Sequence, residues 1–166
     1  MAKVQRIAAC LWFDHQAEEA ARFYVGIFEK SKIIAVSRYS KAGYEIHRRP
    51  EGSVMTVAFE LDGQQFTALN GGPIFKFNEA ISLQVYCDDQ KEIDYFWDRL
   101  GKGGDPKAQQ CGWLKDRYGL SWQVAPRGME KMLKDPKSAR AQRVMAAVMQ
   151  MKKFDLAALE RAYKGN

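Results

Sequence analysis

The chain has 166 residues, 46% hydrophobic and 28% charged, with a net charge of +6. That is an ordinary globular balance, long enough to bury about 70% of the surface the unfolded form exposes. Its longest apolar run, Ile7 to Phe13, is far short of the roughly 20 residues that cross a bilayer. The N-terminal Met-Ala-Lys-Val-Gln-Arg leads into no secretion-type apolar stretch, so a cytoplasmic protein with no membrane partner is expected.

Taken in chain order, Ile7 to Phe13 reads as a strand. Asp14 then offers an N-cap to a helix with apolar residues at Ala17, Ala20, Ala21, Tyr24, Ile27 and Phe28, which is helical spacing. Lys32 to Tyr39 and Ser53 to Leu61 read as strands, and Asp62-Gly63 is a hairpin signal leading into Gln64 to Leu69. The pattern then restarts. Ile81 to Cys87 is a strand, and Asp89 with Glu92 makes a capping box for a helix with Ile93, Phe96, Trp97 and Leu100 on its apolar face.

Gly101, Gly103 and Gly104 end that helix. Cys111 to Lys115 and Leu120 to Pro126 form a hairpin around Asp116-Arg117-Tyr118-Gly119, with a weaker strand near Lys107 to Gln110. Superposing Asp14-x-Gln16 on Asp88-x-Gln90 gives an offset of about 74 residues, the mark of a duplicated module. Beyond Pro126, Ser138 to Met151 and Leu156 to Tyr163 are helical in composition, with Val144, Met145, Val148 and Met149 on one stripe. The domain reading is therefore a single α+β domain over 1–166, with module one at about 4–72, module two at about 80–126 and a helical extension at 127–166.

The charge excess sits in that extension: residues 1–126 hold 16 Lys/Arg and 16 Asp/Glu, and residues 127–166 hold 10 and 4. Its cations at Lys131, Lys134, Lys137, Arg140 and Arg143 are spread along the sequence with no aromatic residues interleaved among them, which favours a solvated helix face over a nucleic-acid surface. Three cysteines, Cys10, Cys87 and Cys111, include no CxxC pair. They read as reduced thiols, with no sign of a disulfide framework or thiolate zinc site. Cys111 has no histidine near it in sequence to serve as a base, and His15 and His47 fall at a helix start and in a loop.

Several ordered segments carry a family resemblance: Leu11-Trp12-Phe13-Asp14, Ala17 to Tyr24, Ala68-Leu69-Asn70-Gly71-Gly72-Pro73, Cys111-Gly112-Trp113 and Tyr118-Gly119-Leu120-Ser121-Trp122-Gln123. Together with Arg143-Val144-Met145 in the tail, they resemble the PhnB-like family, also labelled 3-demethylubiquinone-9 3-methyltransferase. This is a branch of the vicinal-oxygen-chelate superfamily of glyoxalase, bleomycin-resistance and dioxygenase relatives. The resemblance implies two βαβββ modules curled around a cavity, usually in a homodimer.

Metal-dependent members of that superfamily place four His, Glu or Gln ligands on inward strand faces, where the metal acts as a Lewis acid. Matching the chain to that pattern puts Ala9, Ala68, Ser82 and Gln123 at those positions, and a one-residue slip brings in only Cys10, Asn70 or Gln84. This is a poor set for zinc, nickel or iron, so no metal and no cofactor are expected. The methyltransferase label meets a similar obstacle. Asn70-Gly71-Gly72 follows a strand but runs into Pro73 and not into a helix, unlike a nucleotide-type glycine loop.

The resemblance leaves a pocket lined by Phe13, Asn70, Ser82, Gln84, Trp113 and Gln123, uncharged groups that suit a small-molecule ligand. For each of them a purely structural role stands beside the ligand role. The reading is a metal-free protein that binds a small organic molecule as a homodimer. The alternatives are a lyase- or dioxygenase-like enzyme of the same superfamily, or the methyltransferase of the family label.

Overall fold

Alternating burial along the strands decides which face of each sheet is core. In the computed structural model, residues 6–165 are described, and the chain divides into two units, Met1–Lys76 and Phe77–Asn166. The first unit runs β1 (Ala9–Phe13), α1 (Ala17–Val25), β2 (Lys32–Arg38), a short α2 (Tyr44–His47), β3 (Val54–Leu61) and β4 (Gln64–Asn70). Its strands lie in the order β1-β4-β3-β2. β1 runs parallel to β4, and β3 runs antiparallel to both its neighbours.

Leu11, Phe13, Val57, Phe59, Leu61 and Ala68 are buried on one face, against the Ala17, Ala20, Ala21 and Tyr24 stripe of α1. Three small alanines let the helix lie close to the strands. The Tyr24 ring stacks on Phe59 at 6.3 Å between centroids; truncating a fully buried Phe such as Phe59 costs about 3 to 5 kcal/mol. The hairpin signal at Asp62-Gly63 is met by two left-handed residues, φ 44° and 80°, the backbone a two-residue turn needs.

The second unit runs β5 (Leu83–Cys87), α3 (Gln90–Gly101), a 3₁₀ turn (Pro106–Ala108), β6 (Trp113–Lys115) and β7 (Ser121–Pro126). Its sheet has three strands in the order β5-β7-β6, with β5 parallel and β6 antiparallel to β7. Val85, Cys87, Leu114, Trp122 and Val124 form its buried face, and α3 contributes Ile93, Trp97 and Leu100. The strand expected near Lys107 to Gln110 does not form. Asp105 caps the amide of Lys107 and Pro106 opens a 3₁₀ turn, leaving only an isolated bridge between Gln110 and Trp113. The second module is thus βαββ, one strand short of the βαβββ that the resemblance implies, inside an α+β plan.

One helix start departs from its sequence reading and the other nearly matches it. Asp14 does not cap α1: the cap residue is Gln16, with no side-chain cap bond of its own, and the amide of Ala17 donates to Asn70 Oδ1 at 2.8 Å. In the second unit, Asp89 accepts from the amide of Glu92, and Glu92 reaches back to the amide of Asp88 at 2.8 Å, close to the expected capping box. Asp88 itself pairs with Arg127 at 2.6 Å.

The extension comprises a short α4 (Met129–Met132), α5 (Ala139–Met149) and α6 (Leu156–Lys164). Ser138 and Asp155 cap α5 and α6. Ala141, Val144, Val148, Phe154 and Leu159 are buried. The amides of Cys111 and Gly112 donate to Met151 O and Lys152 O at 2.8 and 2.7 Å. Gln90 clasps the same segment, donating to Phe154 O and accepting from the amide of Leu156. Several tail cations serve this packing. Arg143 donates to Ala162 O and Tyr163 O at the end of α6, and Arg140 lies over the Tyr163 ring; cations at a helix C-terminus are favourable.

Candidate functional site

In each unit one sheet face packs on the helix and the other turns away from it. In the first unit, strand alternation puts Cys10, Trp12, Thr67 and Leu69 there, in two cross-strand pairs, Cys10 with Thr67 and Trp12 with Leu69. Trp12 donates to Gly72 O at 2.8 Å and meets Phe75 edge-on at 4.9 Å. Cys10 is exposed as a residue, and burial of part of its side chain raises the thiol above its ordinary value.

Phe13 and Asn70, expected to line a pocket, lie on the other face of this sheet. Phe13 is 3% exposed and Asn70 7%. The Asn70 amide is fully engaged, accepting from Ala17 and donating to Val54 O at 3.0 Å, while its carbonyl accepts from Tyr39 Oη at 2.7 Å. The same parity moves Ala68 out of reach: it pairs with Leu11 and is wholly buried beneath the helix. Ala9 shares that helix-side parity, two residues before Leu11. A one-residue slip in the strand reverses every assignment of face, and it is Cys10 and Trp12 that face away from α1.

In the second unit the expected residues come together. Gln84, Gln123 and Trp113 stand in one cross-strand row, because Gln84 pairs with Gln123 and Trp113 with Gln123. Gln123 Nε2 donates to Ser82 Oγ at 2.8 Å, and Gln84 Nε2 donates to Gln123 Oε1 at 3.3 Å. Tyr86 Oη in turn donates to Gln84 Oε1 at 2.7 Å. Tyr86, 51% exposed, was not among the expected residues. Its signal was present in Ser82-x-Gln84-x-Tyr86, whose period of two puts all three on one face.

Beside this row, Ser121 pairs with Lys115. Ser121 is 1% exposed and its hydroxyl has no hydrogen-bond partner among the described residues. Lys115 reaches Glu79, and that bond holds the Glu79 carboxyl below its usual range. The row itself is uncharged.

The other titratable candidates are engaged elsewhere. His47 sits between Tyr39 and Tyr44, its Nδ1 accepting from the amide of Arg49 and its Nε2 facing Ala42 O. Cys111 has a left-handed backbone, φ 50°, and its thiol faces Val148 O at 3.4 Å. Cys87 is buried, which together with nearby Glu92 pushes its thiol up to about 12. Asp116, 2% exposed, accepts from the amides of Tyr118 and Leu120 and from Trp122 Nε1, so this buried carboxylate organises the β6–β7 turn.

A metal of the kind the superfamily uses does not fit these side chains. The open face of the first unit offers a thiol, an indole, a hydroxyl and an alkyl group, and that of the second two amides and hydroxyls. Among the described residues no three His, Cys, Asp or Glu side chains gather in a group able to hold a metal ion. Divalent cations of this class need carboxylate or imidazole donors.

A family model described as 3-demethylubiquinone-9 3-methyltransferase matches residues 5–125. The chain belongs to that family. The match ends before the extension, short of the resemblance expected through Arg143-Val144-Met145. The PhnB protein of Bacillus cereus, described under the same methyltransferase name, is 36% identical, covering 74% of this chain and 99% of its own, with a TM-score of 0.62. More distant likenesses share the fold: a Pseudomonas aeruginosa protein (18% identity, TM-score 0.55, 74% and 98% covered) and FosX. FosX is the fosfomycin-resistance protein of Listeria monocytogenes, solved with Mn(II) and sulfate (13%, 0.52, 81% and 97%). No curated protein matches the chain.

The family's name describes methyl transfer, and the residues after β4 do not build a glycine loop for a methyl donor of the nucleotide type. A Cβ on Gly71 would lie 2.1 Å from the Trp12 ring, and Gly72 is left-handed with its carbonyl bonded to that indole. The two glycines let the chain turn tightly over Trp12, and no helix follows. Among the described residues no helix is long and apolar enough to cross a membrane.

Proposed function

We propose that the protein binds a small, uncharged organic molecule, aromatic or quinone-like, on the open face of the second unit's sheet, without a metal. The observation that supports this reading is the row Ser82–Gln123–Gln84 flanked by Trp113, with the hydroxyl of Tyr86 at its end. Amides and hydroxyls give direction to a ligand's oxygens, and the indole gives its ring an apolar surface. Neither a carboxylate nor an imidazole stands in the row to act as general acid or base, which favours binding over turnover. By its family resemblance the protein works as a homodimer.

Native mass spectrometry of the freshly purified protein is expected to show a dimer carrying an organic adduct of a few hundred daltons. The Ser82→Leu, Gln123→Leu double variant should lose that adduct and at least tenfold in affinity for duroquinone, a fully substituted quinone that cannot alkylate thiols. Full affinity in the double variant would overturn the site. A monomeric light-scattering mass at micromolar concentration would overturn the dimer.

A further inference from the structure

Resting on that reading, the row has a property that narrows the ligand class. As drawn, Tyr86 Oη gives its hydrogen to Gln84, Gln84 gives one to Gln123, and Gln123 gives one to Ser82. Ser82 is left with its own hydrogen pointing outward, and Tyr86 with outward lone pairs. An amide carries a donor and an acceptor on opposite sides of one freely turning group. Rotating both amides by half a turn reverses every bond: Ser82 then donates inward, and Tyr86 has the free hydrogen. The same four side chains are satisfied either way.

We infer that Ser82, Gln123, Gln84 and Tyr86 form a reversible hydrogen-bond relay that lets this site take both the carbonyl and the hydroxyl form of one small ring compound, a quinone and its quinol. At any moment one terminal hydroxyl donates outward and the other accepts. A carbonyl oxygen is taken by whichever hydroxyl donates, and a phenolic hydroxyl gives its hydrogen to the one that accepts. Tyr86, half exposed at the end of the row, is therefore a ligand-binding residue alongside Ser82. Site groups left unpaired are what reject a mismatched ligand, and the relay leaves none unpaired with either form.

The logic makes a sharp test, because a carboxylate accepts and never donates. In Gln123→Glu the new carboxylate draws hydrogens from Gln84 and Ser82, and Gln84 still draws one from Tyr86, so both terminal hydroxyls point inward. Gln84→Glu has the same result: Tyr86 and Gln123 donate to the carboxylate, and Gln123 turns its oxygen to Ser82. Either substitution removes the outward donor and keeps two outward acceptors.

Duroquinone and durohydroquinone, the latter kept reduced under anaerobic conditions, are titrated by calorimetry into wild type and both variants. Wild type is expected to bind the two forms within about threefold of each other. Each Glu variant should lose at least tenfold for duroquinone and less than threefold for durohydroquinone. Equal weakening of both forms, no weakening, or a wild-type preference above tenfold would overturn the relay while leaving the binding site standing. Binding of neither form to wild type would overturn the relay and the quinone-like reading together. Gln84 is exposed, so its variant folds even if the Gln123 variant does not.

Discussion

The last strand of each unit lies parallel to the first and carries a side-chain amide, but the two amides face opposite ways. Asn70 at the end of β4 turns under α1, where it caps the helix and holds Val54 O. Gln123 in β7 turns away from α3 and joins Ser82 and Gln84. The second unit has no need of such a strut, since Asp89 caps α3 from within the helix's own sequence. A module whose helix is capped locally leaves its strand amide free, and one whose helix is capped from the sheet does not.

That contrast is broken most severely at the β6–β7 turn. Replacing Asp116 by Ala removes the acceptor shared by three donors, two of them buried, and should destabilise the protein by about 3 to 5 kcal/mol, with amide exchange rising more in β6 and β7 than in β1 and β4. Next come the two caps. Asn70→Ala should cost about 2 to 3 kcal/mol, because a cap and the partner of a half-buried carbonyl are lost together. Asp89→Ala should cost about 1 kcal/mol. Equal losses in urea unfolding would show that Asn70 does no more than an ordinary cap.

The thiols mark the units in a further way. Cys10 is exposed and Cys87 is buried with its thiol pushed up to about 12. Iodoacetamide at pH 8 should therefore label Cys10 more than tenfold faster, as read by peptide mass spectrometry.

The smallest effect belongs to the Glu79–Lys115 pair. Because Lys115 lowers the folded-state value of Glu79 below 4.5, the pair's contribution is present above the unfolded value and fades as pH falls through the lowered one. Lys115→Met should bring the NMR titration of Glu79 back up toward 4.5 and flatten the acid dependence of stability in that window.

Much of the fold was legible because period and punctuation agree. The strand-helix order, the Asp62-Gly63 turn and the Asp89–Glu92 cap are all local signals, set by side chains within a few residues of one another. What was not legible is tertiary. Asp14 has the right type and place for a cap, yet α1 is capped by a residue 53 positions away in sequence. Lys107 to Gln110 has strand-like neighbours, but Asp105-Pro106 fixes a 3₁₀ turn there.

At the site, the family match named Ser82, Gln84, Trp113 and Gln123 together, and the pairing of β5, β6 and β7 with the Gln123–Ser82 bond brings them to one face. Phe13 and Asn70 take their expected face from a family match that carries no information on strand parity, and Tyr86 lies outside the positions that the match marks. Facing is a property of register, and register is visible only once the neighbouring strand is in place.

The seat of the C-terminal extension bears on how its sequence can be moved or cut. Gly112, with φ 82°, has the Phe154 ring where a Cβ would stand, 2.3 Å from it, and its amide is committed to Lys152 O. Removing residues 127–166, which lie beyond the span of the family model, would strand two main-chain donors and empty an aromatic seat. Grafting the tail onto a relative would succeed only if the recipient has glycine at the position of Gly112. The extension and that glycine fit as a lock and its key, so a side chain at position 112 would unseat the tail.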